Sequence, residues 1–178
     1  RGKGVVRTVY DPCCGYGGML MITKDHIRTG IIQNGRLVQS PINPDAELHL
    51  FGQEVNPETW AVSKSDLYMK DPTGRDADRI AYGSTLSNDK HGGVGFDYLI
   101  ANPPYGKDWK GDADAVKAEH ERGAVGRFGP GLPRISDGQL LFLLHMLAHT
   151  KDAAEGGSRI AIIMNGSPLF TGDAGSGE

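Results

Sequence analysis

The 178-residue chain predicts an α/β fold, a mostly parallel sheet with helices on both faces, and three observations carry that expectation. Strand-like runs near 4–10, 48–54, 79–83, 96–101 and 158–164 alternate with helix-length segments near 17–30, 57–70 and 137–151. The first run passes through a glycine loop into an apolar helix, and the fourth is stopped by paired prolines. Strands separated by helices need crossover connections, which favour parallel pairing.

The first strand rests on Val5, Val6, Thr8, Val9 and Tyr10, a β-branched and aromatic run. It leads through Asp11-Pro12-Cys13-Cys14-Gly15-Tyr16-Gly17-Gly18 into Met19, Leu20, Met21 and Ile22. Glycines there let the backbone turn sharply while the next helix presents its N-terminus to a ligand. The loop departs from the dinucleotide fingerprint, because position 20 is Leu, and lacks the Gly-Lys-Ser/Thr ending of a phosphate loop. Pyrophosphate is therefore not the favoured ligand. Cys13 and Cys14, the only cysteines, are adjacent and suit neither a disulfide framework nor a four-ligand zinc site.

Gln33 to Glu47 is polar, with Asn34-Gly35 and two prolines, and reads as a small hairpin or a surface excursion. The second strand, Leu48 onward, ends in Glu54 before Pro57 opens a helix. An acid so placed can accept hydrogen bonds from both hydroxyls of a ribose, or else serve as a charge at a helix N-terminus.

The fourth strand holds Phe96, Tyr98, Leu99, Ile100 and Ala101, then Asn102-Pro103-Pro104-Tyr105-Gly106. Prolines cannot donate ladder hydrogen bonds, so the strand stops and the Asn102 carboxamide sits at its carboxyl end, where open α/β sheets bind ligands. The Asn102 side-chain oxygen and the Pro103 carbonyl can each accept one N–H of an exocyclic amine, favouring a pyramidal nitrogen with its lone pair aimed at an electrophile. Tyr105 offers a stacking surface, and base–aromatic stacking is worth roughly 1–3 kcal/mol.

Gly106 to Ile135 lacks sustained periodicity, although Asp112 to Arg122 suits a helix. Lys107, Lys110, Lys117, Arg122, Arg127 and Arg134 are available for phosphates, but interspersed acids favour a solvated loop. In the last helix His145 and His149 stand one turn apart, a metal-ligand spacing with no evident third partner, so an ordinary helix is expected and no metal is assigned. Trp60 and Trp109 are expected to pack.

A net charge of -3 and a pI near 6.1 do not describe a self-sufficient nucleic-acid binder. No stretch reaches the roughly 18 consecutive apolar residues that spanning a membrane needs, and the expected location is the cytoplasm.

Asp-Pro-x-Cys-Gly-x-Gly-Gly, Gly-Gln-Glu-x-Asn-Pro and Asn-Pro-Pro-Tyr-Gly, in that order, resemble the amino-methylating DNA methyltransferases. Asp137-Gly138-Gln139-Leu140-Leu141-Phe142, Gly157 to Ile162 and Asn165-Gly166-Ser167-Pro168-Leu169-Phe170-Thr171-Gly172 resemble the modification (methylation) subunit of type I restriction-modification systems. The resemblance implies a Rossmann-like fold binding S-adenosylmethionine, with Asp11, Cys13, Gly15 and Gly17 lining the cofactor pocket, Glu54 on its ribose and Asn56 beside that acid. Ser84 takes the place of an Asp or Asn that usually contacts the cofactor adenine. Asn102, Pro103, Pro104 and Tyr105 match the catalytic motif, Asn102 also bordering the cofactor. An Asn in the first position goes with adenine N6 in DNA.

Phe170 is either a second ring against the flipped base or a core aromatic. Implied partners are DNA, a specificity subunit that reads its sequence, and a restriction subunit. Family members extend further on both sides, so residues 1–172 are expected to be a partial catalytic core, with 173–178 a frayed tail. The resemblance predicts the residues of the machinery, not turnover by this segment alone. Protein glutamine and RNA guanine methyltransferases share Asn-Pro-Pro-Tyr, and a non-catalytic assembly module keeping the fold is the remaining alternative.

Overall fold

The computed structural model describes residues 5–166. Five parallel strands form one sheet, β1 (Val6–Asp11), β4 (Glu47–Glu54), β5 (Ile80–Tyr82), β6 (Tyr98–Ala101) and β7 (Arg159–Ile162), in the order β5-β4-β1-β6-β7. Central β1 pairs on both sides, with Val9 opposite Leu50 in β4 and Tyr98 in β6. The chain leaves β1 towards β4 and β5, then returns to build β6 and β7 on the other flank. The loops after β1 and β6 therefore diverge, and the crevice between them is the topological switch point where such sheets take ligands.

Alternation along β1 divides the core. Val9 packs with Leu50 and Ile80, under Leu20 of α1 (Gly18–Arg28), Leu67 of α2 (Pro57–Lys70) and Ala77 of α3 (Arg75–Asp78). Tyr10 points the other way, onto Phe96, Leu99 and Met146 of α5 (Gln139–Ala148). Helices thus cover both faces, as the alternating pattern predicts. The short α3 falls outside the sequence reading, being a single turn opened by Gly74 at φ 73° with no apolar period to announce it.

The polar segment after α1 is a hairpin, β2 (Ile31–Gln33) with β3 (Arg36–Gln39), antiparallel and separate from the main sheet. Its turn residues Asn34 and Gly35 both have positive φ, 49° and 73°, the requirement of a tight two-residue loop. The pairing starts two residues earlier than expected.

The stretch after β6 corrects the reading of a solvated loop. It contains α4 (Ala113–His120), and Trp109, Val116 and Phe128 form a third apolar cluster with Leu86 and Leu141. Its order comes from contacts far apart in sequence, which no local period displays. Trp109 is buried and donates through its indole N–H to the Arg134 carbonyl at 3.1 Å.

Candidate active site at the carboxyl edge of the sheet

A cavity of about 360 Å³ opens at the carboxyl ends of the strands, within the range of small-molecule sites. Cys13 from the loop after β1, Glu54 at the end of β4 with Asn56 just beyond, Ser84 beyond β5, and Asn102 and Pro104 after β6 all line it. Residues spread over 92 positions thus meet because every parallel strand delivers its carboxyl end to one edge.

Glu54 is held by two backbone donors: the Gly15 N–H reaches one carboxylate oxygen at 2.9 Å and the Asn56 N–H the other at 2.7 Å. A carboxylate has about four lone-pair sites, so capacity remains for ligand hydroxyls. The Asn56 side-chain oxygen accepts from the N–H groups of Glu58 and Thr59, both at 3.0 Å, capping α2. Its amide group still borders the cavity, but its oxygen is engaged in holding the helix.

Asp11, Gly15 and Gly17 frame the site rather than line it. Asp11 is buried and accepts from the Cys13 N–H at 2.9 Å. Burial raises its pKa to about 7, against that hydrogen bond and with a smaller upward push from Glu54. Gly17 caps α1 at φ 78°, a conformation that suits glycine. Burial, reinforced by Asp11, also raises both thiols, so Cys13 and Cys14 are neutral packing groups in the loop.

Asn102 is exposed at the end of β6, Pro103 is buried, and Tyr105 stands on the outer rim, 46% exposed. The Tyr105 hydroxyl donates to the Asn102 side-chain oxygen at 2.6 Å. One of that oxygen's two lone pairs is thus engaged by the neighbouring ring, and an incoming amine can use the other. Phe170 lies outside the described residues.

Leu86, Phe142, Trp109 and Asp112 also line the cavity and were not expected there. Leu86, Phe142 and Trp109 give an apolar wall facing the polar side at Glu54. In the same helix as Phe142, Gln139, buried at the start of α5, donates to both carboxylate oxygens of Asp137 at 3.0 and 2.9 Å and to the Asn165 side-chain oxygen at 3.0 Å. The Asn165 N–H donates back to Gln139 at 3.1 Å. The Asp-Gly-Gln segment and Asn165 are therefore joined.

The fold supplies the third partner that the histidine pair lacked in sequence: Asp89, His145 and His149 bring ligand-type atoms within 4.8 Å of one another. His145 Nδ1 accepts from the Arg127 guanidinium at 2.8 Å, and its Nε2 meets the Tyr10 hydroxyl at 2.9 Å. His149 contacts the Val94 carbonyl at 2.7 Å and Asp89 at 2.9 Å. The guanidinium, 4.0 Å from Asp89, stands where a cation would go, so the cluster reads as a buried polar network.

The sequence model of the family described as N-6 DNA Methylase matches residues 3–177. The chain belongs to that family. It is 27% identical over 151 residues to the type I restriction enzyme MjaIX methylase subunit of Methanocaldococcus jannaschii, covering 84% of this chain and 24% of that protein. It is 26% identical over 161 residues to the HindI methylase subunit of Haemophilus influenzae, covering 89% and 31%. In fold it is similar to the type I restriction-modification methyltransferase subunit from Streptococcus thermophilus, with a TM-score of 0.66 at 24% identity over 97% of this chain and 32% of that one. The chain thus spans about a quarter to a third of the length of these relatives.

Proposed function

We propose that this N-6 DNA methylase chain is the catalytic core of an S-adenosylmethionine-dependent transferase that methylates adenine N6 in DNA, within the modification subunit of a type I restriction-modification system. One observation carries the reading: the fold brings Asn102 and Pro104 to the same cavity as Glu54 and Cys13. Groups that would polarise the amine and hold the nucleoside thereby share one cavity.

The residues present suit the cofactor. A prearranged carboxylate faces an apolar wall that includes Leu86, Pro104 and Phe142, matching a ribose beside a purine. S-adenosylmethionine, when bound, supplies a methyl group on a positively charged sulfur. Glu54 would hold the ribose hydroxyls, and Ser84 would offer its hydroxyl near the adenine. Asn102 and the Pro103 carbonyl would accept the two N–H groups of the target amine and fix its lone pair in line, so positioning and exclusion of water supply most of the rate. Tyr105, half exposed on the rim, would stack on the extruded base.

A mildly acidic chain needs help to grip DNA. A specificity subunit would supply it, with a restriction subunit completing the assembly in the cytoplasm. Among the described residues no helix is long and apolar enough to cross a membrane.

The test is methyl transfer from labelled cofactor to DNA by the full-length protein with its specificity subunit. Asn102→Ala should lower incorporation by two orders of magnitude or more, on the scale of losing about 2.7 kcal/mol of transition-state positioning. Glu54→Ala should weaken cofactor binding measured calorimetrically. Equal incorporation by wild type and Asn102→Ala would sink the assignment, and label in protein rather than DNA would favour a glutamine substrate.

A further inference from the structure

Arg127 lies in the segment after the catalytic motif, where its charge invites a contact with phosphate. Its guanidinium instead points inward, and the side chain is only 11% exposed. Every N–H it owns has a partner. Nε donates to both Glu119 carboxylate oxygens, at 2.8 and 3.0 Å. One terminal nitrogen serves the Thr85 carbonyl and His145 Nδ1, both at 2.8 Å. The other serves the Leu86 carbonyl at 3.0 Å and Glu119 at 2.6 Å.

Thr85 and Leu86, with Ser84, form the cavity wall beyond β5. The ends of that segment are fixed by Gln53, which is buried and donates to the carbonyls of Gly83 at 3.2 Å and Asn88 at 2.7 Å. Its middle is fixed by Arg127. The Thr85 hydroxyl then crosses to the Pro12 carbonyl, and the Ser87 hydroxyl to Asp112 at 2.5 Å, joining the wall to the loop after β1 and to the α4 region. Glu119 anchors the guanidinium from α4 itself.

We infer that Arg127 is a positioning residue for the cofactor: two of its N–H donors hold the Thr85 and Leu86 carbonyls, and the others, on Glu119 and His145, fix the guanidinium, so that it sets the Ser84–Leu86 wall against which the adenosine end would lie. The inference rests on the function proposed above, because it assigns the cavity to that cofactor. Lysine cannot replace it, having three donors on one atom and no planar fork to reach two successive carbonyls. The pairing with Glu119 also leaves no charge for DNA, so Arg127 should contribute nothing to the salt dependence of DNA binding.

The experiment uses the full-length protein with its specificity subunit. Arg127→Lys and Arg127→Ala should raise the dissociation constant and KM for S-adenosylmethionine about tenfold, roughly one lost charge-assisted hydrogen bond. At saturating cofactor, kcat and the KM for DNA should stay within about threefold. Low, non-denaturing guanidinium should restore the KM of Arg127→Ala. If that variant fails to fold, Glu119→Gln decides, with an expected rise of about threefold in cofactor KM alone. An unchanged cofactor KM in the folded variants, with kcat falling only as the folded fraction falls, would make Arg127 a strut and overturn the inference. A raised KM for DNA with a shallower salt slope would make it a phosphate contact and overturn it equally. Wild-type protein that binds no S-adenosylmethionine would instead defeat the proposed function, so the two failures are distinguishable.

Discussion

Tyr105 has two separable parts, a ring on the rim and a hydroxyl engaged with Asn102. On the proposed function the ring would replace stacking that an extruded base loses, whereas the hydroxyl holds the carboxamide. Tyr105→Ala should therefore raise the KM for DNA tenfold or more, on the scale of roughly 1–3 kcal/mol of stacking, and Tyr105→Phe should keep activity within about threefold. Steady-state methyl transfer to a duplex with one target site checks both; a large loss in Tyr105→Phe would show that the hydroxyl takes part in the reaction. An accessible ring at Tyr105 was legible because it follows two prolines that end the strand, and the structure leaves it half exposed. Its hydrogen bond was not, since that depends on how the chain turns after two prolines.

Helix α2 shows how one element serves both stability and site. Asn56 caps it, Pro57 fits its first turn, and the same chain reversal places Glu54 at the cavity. Losing the cap should cost about 1 kcal/mol, so Asn56→Ala should lower the denaturation midpoint measurably. Asn56→Asp should retain the cap and the midpoint, because a carboxylate oxygen accepts the same N–H groups. Thermal unfolding followed by circular dichroism compares them; if both variants lose equally, capping is not what Asn56 contributes to stability. The helix start and Glu54 were readable because proline and acid fall within a few residues, whereas the cap at Asn56, read only as a neighbour of the acid, emerged from the structure. The segment after β6 was not, because Trp109, Val116 and Phe128 find their partners on Leu86 and Leu141, well separated in the chain.

Over the whole molecule, two buried titratable groups bound the pH range of stability. Folded Asp11 keeps its proton up to about 7, while the unfolded carboxyl releases it near 3.8, so the native state holds more protons between those values. Its contribution is greatest at low pH and is lost as pH rises from about 4 to about 7. His145 acts oppositely: burial, aided by the neighbouring His149 and Arg127, pushes its pKa well below 6.5, so the native state resists a proton that the unfolded chain accepts. Its contribution is lost as pH falls below about 6.5. Asp11→Asn should therefore flatten the decline in stability between pH 5 and 8 and raise the urea midpoint at pH 8 relative to wild type. An unaltered pH profile in that variant would contradict the assignment to Asp11.

The sequence by itself determined the alternation of strands and helices, the chain breaks at Gly17, Pro57 and Pro103, and the residue types of the Asn102–Tyr105 motif to which the proposed function gives the amine. These are properties of neighbouring residues, set by backbone sterics and periodicity. Only the tertiary structure decided the strand order that makes the loops after β1 and β6 diverge, and with it the meeting of Glu54 and Asn102 at one cavity. It also turned Arg127 from a surface cation into an enclosed brace and joined Gln139 to Asn165. Such pairings depend on which distant segments come to share a desolvated space, where unpartnered polar groups are costly, and that space exists only once the sheet and its helices have packed.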